Sequence, residues 1–159
     1  MDRRAAGDGE HTTRPPALTL ESLALVWLGG TAGTAARYLT GRTVPHLLGV
    51  PVATLAVNVL GAFALGLLLE GLARRGSPVG ATPAKRLSPN RQRRLRLLLG
   101  TGFLGGFTTY SALATETVLL ARSGLQAFAV TYAVATLVLG LLASLAGIAL
   151  AARRSAGAG

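Results

Sequence analysis

The chain has 159 residues, half of them apolar, and carries a formal net charge of +10 with only 14% charged residues. Ordinary soluble domains carry about 25% charged residues. The charged residues of this chain lie between long uncharged runs, which favours a membrane protein over a soluble helical bundle, because the helices of a soluble bundle need polar faces. The absence of cysteine excludes disulfides and thiolate metal sites. The basic residues are not interleaved with stacking aromatics, which argues against a nucleic-acid partner.

Four uncharged runs predict an all-α membrane protein with four transmembrane helices. They cover roughly Ser22–Ala36, Val50–Leu69, Leu97–Thr115 and Leu125–Ala152. About 20 apolar residues are needed to cross about 30 Å of hydrocarbon. The first run is shorter, but it approaches this length if Arg37 snorkels to the surface and extends it towards Thr40.

Polar regions flank these runs and set their orientation. We predict a disordered tail at residues 1–20, a flexible basic loop at 73–94 inside the four-helix domain of residues 21–152, and a C-terminal tail at 153–159. With four spans these three regions share one side of the membrane, and together with Arg96 at the start of the third run they hold thirteen of the sixteen basic residues. Because positive charge marks the cytoplasmic side, the sequence predicts a multi-pass protein with both termini in the cytoplasm.

The first two segments carry small and polar residues at helical spacing. Gly29 and Gly33 form a pattern of small residues four apart, which lets membrane helices approach closely. Asn58 lies in the middle of segment two, and Thr54 lies one turn earlier on the same face. A buried Asn without partners is costly, so Asn58 is a candidate functional residue.

Segment three contains the most informative stretch, Gly100-Thr-Gly-Phe-Leu-Gly-Gly-Phe-Thr-Thr-Tyr-Ser111. Nineteen uncharged residues separate Arg96 from Glu116, with Gly106 at their centre. Four glycines followed by two threonines predict a helix broken at mid-bilayer, where freed backbone groups must face protein, water or an ion. Such breaks are the usual ion sites of membrane transport proteins, so the pattern indicates a channel or a transporter.

Four blocks of residues follow one another along these segments. They are Gly29-Gly-Thr-Ala-Gly-Thr-Ala-Ala-Arg37-Tyr, Thr54-Leu-Ala-Val-Asn58-Val-Leu-Gly61-Ala-Phe63-Ala-Leu-Gly66, Gly102-Phe-Leu-Gly-Gly-Phe-Thr-Thr-Tyr-Ser111, and Glu116 five residues later. On these blocks the chain resembles the small bacterial fluoride channels, the Fluc or CrcB family. The resemblance implies a fluoride-specific channel of the bacterial cell membrane that exports fluoride passively, built as an antiparallel dimer. It also implies a structural sodium ion, not itself transported, on the backbone carbonyls of Gly105 and Thr108.

A dry anion pore must replace water with neutral hydrogen-bond donors, because charged groups hold the ion too tightly. With the resemblance, the candidate donors are Asn58, Thr54, Thr109, Ser111, Tyr132 and Thr136. The alternative for each Ser or Thr is a hydrogen bond to its own helix. Arg37 either attracts anions in an aqueous vestibule or snorkels to headgroups. We expect Glu116 to pair with a cation or to hydrogen-bond the broken segment, which is a structural role.

The chain departs from the family in two respects. Family members carry two phenylalanines after the break, whose electropositive ring edges face the ion, and the matching pathway residues here are Tyr110 and Leu113. Leu113 has no ring. An antiparallel homodimer also needs a protein that inserts both ways, whereas this charge bias predicts one orientation. Two assemblies therefore remain open, a homodimer and a heterodimer in which an oppositely oriented paralogue supplies the missing ring and this chain is an obligate subunit.

Three other classes fit the sequence less well. A small proton-coupled exporter needs a carboxylate in its cavity, but Glu21 and Glu70 lie at segment ends and Glu116 lies about two turns past the break. A membrane enzyme needs a nucleophile with a base, or metal ligands, and the segments offer neither. A nonconducting scaffold has no need of Asn58 or of the broken segment.

Overall fold

The computed structural model describes residues 19–44, 51–76 and 87–156. Their regular structure is helical throughout: α1 (Leu20–Thr43), α2 (Val52–Gly76), α3 (Pro89–Leu95), a π-helical segment (Arg96–Leu104), α4 (Gly105–Phe107), α5 (Tyr110–Arg122) and α6 (Gln126–Ala156). The predicted tail up to residue 18, the centre of the predicted loop and the last three residues lie outside the described residues.

Three helical stretches of the described residues are long and apolar enough to cross a membrane. They are Val52–Gly76, Pro89–Arg122 and Gln126–Arg154. The remaining helix, α1, has 24 residues and is about 36 Å long at 1.5 Å per residue. Large apolar side chains such as Leu60, Leu137 and Leu141 are about 60% exposed, and soluble proteins rarely expose apolar patches of this extent. The prediction of an all-α membrane protein is confirmed.

Helices α2 and α6 run parallel and touch over several turns. Gly140 faces the side chain of Ala62, and one turn further along both helices a Cβ on Gly66 would overlap the carbonyl oxygen of Ser144. The close approach of backbones at small residues is typical of membrane helix pairs. Because the two helices point the same way, the arginine pairs in their last turns lie at the same end of the bundle.

Helix α1 packs on the π-helical segment through glycines. A Cβ on Gly29 would overlap the carbonyl oxygen of Leu98, and a Cβ on Gly33 would overlap that of Phe103. A Cβ on Gly102 would lie 2.9 Å from the Cα of Gly29. The predicted close contact of a helix at Gly29 and Gly33 is confirmed, and it brings α1 against the first half of the third segment.

Helical structure extends into both ends of the predicted 73–94 loop. Helix α2 continues to Gly76, and α3 begins at Pro89, in the first turn where proline suits a helix, with Ser88 as its N-cap. An ion pair of 2.6 Å between the Arg94 Nε and a Glu21 carboxylate oxygen ties α3 to the start of α1.

Two hydrogen bonds join the ends of this connection to each other. The Leu87 amide donates to the Arg75 carbonyl over 3.1 Å. The Gln92 side-chain amide donates to the Leu72 carbonyl over 2.8 Å. The end of α2 and the beginning of α3 are therefore held side by side, and this fixes where the third segment starts.

Candidate functional site

The helix that begins at Pro89 is interrupted after Phe107. Thr108 (φ −79°, ψ 157°) and Thr109 (φ −150°, ψ 118°) have extended backbone, and α5 starts at Tyr110. The π-helical segment comes immediately before, and π-helical turns occur frequently at functional sites. An interruption of this kind deprives carbonyl groups on one side and amides on the other of their helical partners.

The amides that a continuous helix would direct to the Gly105 and Thr108 carbonyls bond elsewhere. In an α-helix these donors are the amides of residues four positions later, Thr109 and Ala112. The Thr109 amide instead donates to Asn58 Oδ1 over 2.8 Å, and the Ala112 amide donates to Thr109 Oγ1 over 3.2 Å. Both carbonyls predicted to hold a cation have therefore lost their α-helical donors.

The chemistry of these two oxygens suits a small cation. Hard cations prefer oxygen ligands, and backbone carbonyls supply them without adding negative charge to the membrane interior. Within the described ranges, no group of three or more His, Cys, Asp or Glu side chains is arranged to hold a metal. A cation at this position would depend on backbone oxygens.

Asn58 binds the backbone of Thr109 in both directions. Its Nδ2 donates to the Thr109 carbonyl over 3.0 Å, and its Oδ1 accepts from the Thr109 amide. A side-chain amide has two N–H donors, so one N–H of Asn58 is not used by Thr109. The residue predicted to bind the transported ion thus also holds the interruption.

Arg37 contacts the same interruption from α1. Its Nε donates to the Gly106 carbonyl over 3.2 Å, and Thr34 Oγ1 lies 3.5 Å from that oxygen. A cation is favoured at the C-terminal end of a helix, where carbonyl groups concentrate negative charge. Arg37 also lines a cavity of about 430 Å³ together with Arg42 and Thr54. Arg37 therefore lines a cavity and also makes a backbone contact that the sequence did not indicate, and its vestibule role stays a prediction.

Glu116 joins three helices through hydroxyl groups. Thr54 Oγ1 donates to one carboxylate oxygen over 2.6 Å, and the Tyr132 hydroxyl donates to the other over 2.8 Å. The Tyr132 oxygen also lies 3.4 Å from the Pro51 carbonyl oxygen. The sequence suggested a cation or the broken segment as partners of Glu116, whereas its partners in the described residues are hydroxyls of α2 and α6.

A second cleft, of about 320 Å³, gathers five of the predicted pathway residues. Asn58, Thr109, Tyr110, Leu113 and Thr136 line it, together with Thr108, Leu137 and Gly140. Tyr110 is 79% exposed, whereas Leu113 is 5% exposed. The only ring at these two positions therefore points away from the core of this chain.

The remaining predicted hydroxyls have local partners. Ser111 Oγ lies 3.2 Å from Thr109 Oγ1, which also caps α5. Thr136 Oγ1 donates to the Tyr132 carbonyl over 2.8 Å, which is the bond to its own helix that the sequence left open as an alternative. Thr108 Oγ1 donates likewise to the carbonyl of Leu104 over 2.9 Å.

Sequence reasoning did not single out Thr34 or the Pro51 carbonyl. Thr34 lies three residues before Arg37, and that spacing on one helix face was a usable signal for a shared partner. The contact between Asn58 and Thr109 joins residues 51 positions apart, and no local pattern encodes it.

Comparison with known proteins gives a match across most of the chain. A family model described as "CrcB-like protein, Camphor Resistance (CrcB)" matches residues 24–148. The chain is 47% identical over 131 residues to "Fluoride-specific ion channel FluC 2" of Leifsonia xyli subsp. xyli, covering 82% of this chain and 83% of the relative.

Two further relatives, both named "Fluoride-specific ion channel FluC", are similar over comparable lengths. The Phenylobacterium zucineum protein is 42% identical over 136 residues, covering 84% of this chain and 98% of the relative. The Chelativorans sp. protein is 41% identical over 131 residues, covering 81% and 94%. These names describe ion channels of bacteria, so the predictions of a membrane protein and of a protein that is not an enzyme are confirmed.

Proposed function

The chain belongs to the CrcB family, and on this premise we propose that it is a fluoride-specific ion channel that lowers cytoplasmic fluoride by passive export. The observation that carries the proposal is the cleft at the interrupted helix, where Asn58, Tyr110 and Leu113 meet inside apolar segments. The choice of fluoride as the anion rests on the names of the relatives. The site offers a neutral hydrogen-bond donor, Asn58, beside backbone groups that lipid cannot hydrogen-bond.

The anion path follows from the donors that remain available. Asn58 uses one N–H for Thr109, and its second N–H is the neutral donor that an anion in the 320 Å³ cleft would meet. The exposed ring of Tyr110 borders the same cleft and offers its electropositive edge. A path of weak neutral donors lets a strongly hydrated ion enter without trapping it.

Glu116 supports this path indirectly. A hydroxyl carries a single proton, and the protons of Thr54 and Tyr132 are donated to the carboxylate. While these bonds persist, neither hydroxyl donates to an anion. We therefore assign Thr54 and Tyr132 the role of shaping the path and Glu116 the role of fixing them.

The proposal includes a structural sodium ion on the carbonyls of Gly105 and Thr108. These two carbonyls would hold the ion, which when bound would supply positive charge beside the anion path. Two oxygens are fewer than a cation requires, and Gly105 is exposed on the surface of this chain. A second copy related by a two-fold axis would bring the same two carbonyls to the ion, which supports the antiparallel dimer.

A second assembly is supported by two observations. Leu113 has no ring and is 5% exposed, and the charge bias of the sequence predicts one orientation with both termini in the cytoplasm. An obligate heterodimer with an oppositely oriented paralogue would supply both the missing ring and the opposite orientation. The two assemblies differ in whether this chain conducts alone.

The test is fluoride efflux from sodium-loaded liposomes reconstituted with the full chain alone, with chloride as the control anion. Selective fluoride efflux is the expected result for a self-sufficient channel. Efflux only after co-expression with an oppositely oriented paralogue would support the heterodimer. Equal fluoride and chloride rates, or no fluoride efflux under either condition, would contradict the proposed function.

A further inference from the structure

We infer that Asn58 is a positioning residue of the cation site, because it captures the Thr109 amide and thereby keeps the Gly105 carbonyl free for sodium. The inference rests on the proposed function, since it concerns the same site. It assigns Asn58 a second role, distinct from contact with the transported anion.

The Thr109 amide has two alternative acceptors. A continuous α-helix would direct it to the Gly105 carbonyl, whereas in this structure it donates to Asn58 Oδ1 over 2.8 Å. Thr109 is buried, and a buried amide must have a partner. Removing the Asn58 acceptor therefore favours a helical hydrogen bond from the Thr109 amide to the Gly105 carbonyl. This hydrogen bond would compete with sodium for the carbonyl oxygen.

The second bond of Asn58 fixes the geometry of the interruption. Its Nδ2 donates to the Thr109 carbonyl over 3.0 Å, so the side-chain amide pairs with Thr109 as a neighbouring strand would. The side-chain amide of Asn makes both bonds at once because it carries a donor and an acceptor, but the acceptor alone is enough to keep the Thr109 amide away from the Gly105 carbonyl. Asn58 thus stabilises the extended backbone at Thr109, whose amide does not make the helical hydrogen bond to the Gly105 carbonyl.

Other protein groups take the neighbouring carbonyls. Arg37 Nε donates to the Gly106 carbonyl over 3.2 Å, and the Thr108 amide and hydroxyl both donate to the Leu104 carbonyl over 2.9 Å. The carbonyl of Gly105 lies between these two occupied acceptors and has lost its α-helical donor to Asn58. Because the carbonyls of Leu104 and Gly106 already accept hydrogen bonds, the Gly105 carbonyl is the one of the three that we expect to bind a ligand.

The experiment measures sodium binding separately from transport. Purified full-length protein in detergent is titrated with sodium chloride, with choline chloride keeping the ionic strength constant, and the melting temperature is followed. For Asn58→Leu we expect the sodium concentration at half-saturation to rise about 10- to 100-fold, the range typical for losing a residue that orients a metal ligand. Asn58→Asp keeps an oxygen that accepts from the Thr109 amide, so its half-saturation should equal that of the wild type or fall below it.

Thr54→Val is the matched control, one turn earlier on the same face of α2. Thr54 bonds Glu116 and not the interruption, so its sodium response should equal that of the wild type even if its fluoride efflux changes. If Asn58→Leu does not fold, Asn58→Ala, which also lacks the acceptor for the Thr109 amide, is titrated in its place with the same expected rise.

Three results would overturn the inference. One is wild-type sodium binding in Asn58→Leu with loss of fluoride efflux only, which would make Asn58 a ligand of the anion alone. Another is loss of the sodium response in Asn58→Asp. A wild-type protein that conducts fluoride but shows no sodium response would also refute the inference while leaving the channel function intact. Absence of fluoride efflux from a wild-type protein that binds sodium, both alone and after co-expression with an oppositely oriented paralogue, would contradict the channel function instead.

Discussion

Two contact regions of the molecule are built on opposite principles. Between α1 and the π-helical segment, Gly29 and Gly33 bring backbones together, and the contact depends on the absence of side-chain atoms. Among α2, α5 and α6, the carboxylate of Glu116 joins the hydroxyls of Thr54 and Tyr132, and the contact depends on specific polar atoms. The first region should be most sensitive to added volume and the second to removed hydrogen-bonding groups. The interruption at Thr108 and Thr109 lies where the two regions meet.

The largest expected effect is that of Gly33→Val. Its side chain would overlap the Phe103 carbonyl, and overpacking a tight contact costs about 3 kcal/mol or more when the backbone must move. Thermal unfolding in detergent should show a sharply lowered melting temperature. Gly41→Val on the same helix is the control, because a Cβ there meets no atom within 4 Å. Equal stability of the two variants would contradict the proposed difference between the regions.

Glu116→Leu tests the second region by removing its central acceptor. Thr54 and Tyr132 are 8% and 5% exposed, and leaving buried hydroxyls without their acceptor should cost about 2 kcal/mol. Glu116→Gln retains one acceptor oxygen and should lose roughly half as much. The melting temperatures of both variants provide the comparison. If Leu and Gln at this position gave the same melting temperature, the hydroxyl bonds would not be the stabilising element.

Arg37→Ala probes the point where α1 meets the interruption. The Gly106 carbonyl would keep only the 3.5 Å contact from Thr34, and since Arg37 is partly exposed we expect a loss of about 1 kcal/mol. Arg37→Lys retains the charge without the guanidinium geometry. Unfolding measurements should rank the wild type first, Lys second and Ala last. A variant with Ala as stable as the wild type would show that the Gly106 bond contributes nothing.

Tyr132→Phe is expected to have an effect no larger than that of Arg37→Ala. It removes one hydroxyl from Glu116 but retains the ring, and a single hydrogen bond contributes about 1 kcal/mol. In the Glu116→Leu background the same change should not destabilise further and should restore part of the lost stability, because it removes a buried hydroxyl that has already lost its acceptor. A double-mutant cycle of melting temperatures measures this coupling, and strict additivity would contradict a direct bond.

Much of the fold could be predicted from the sequence because it depends on local patterns. Uncharged runs predicted the helices, and the spacing of Gly29 and Gly33 predicted a close helix contact, since both signals are contained in a few consecutive turns. The end of α4 and the start of α5 fall within the predicted stretch of glycines and threonines. Its position in the bilayer and its sodium ion stay predictions.

The partners of the site residues could not be predicted in the same way. The sequence pointed to Asn58 because burying its side-chain amide without hydrogen-bond partners is unfavourable. Its pairing with Thr109, however, depends on how two distant segments pack. The same is true of Glu116, whose partners lie on two other helices, and of Arg37, whose bond to Gly106 exists only because α1 approaches the interruption closely. Sequence identified the polar residues, and tertiary structure decides which backbone groups they reach.

The paired ends of the connection between α2 and α3 have a practical consequence for engineering. The Leu87 amide bonds the Arg75 carbonyl, so the chain leaves and re-enters the bundle at almost the same point. Lengthening a connection whose ends are already fixed costs only about 0.6 kcal/mol for each doubling of its length. An epitope or fluorescent domain placed between Gly76 and Leu87 should therefore leave the register of the third segment intact. Antibody access to this tag in sealed vesicles would show on which side of the membrane the tag of each protein molecule lies.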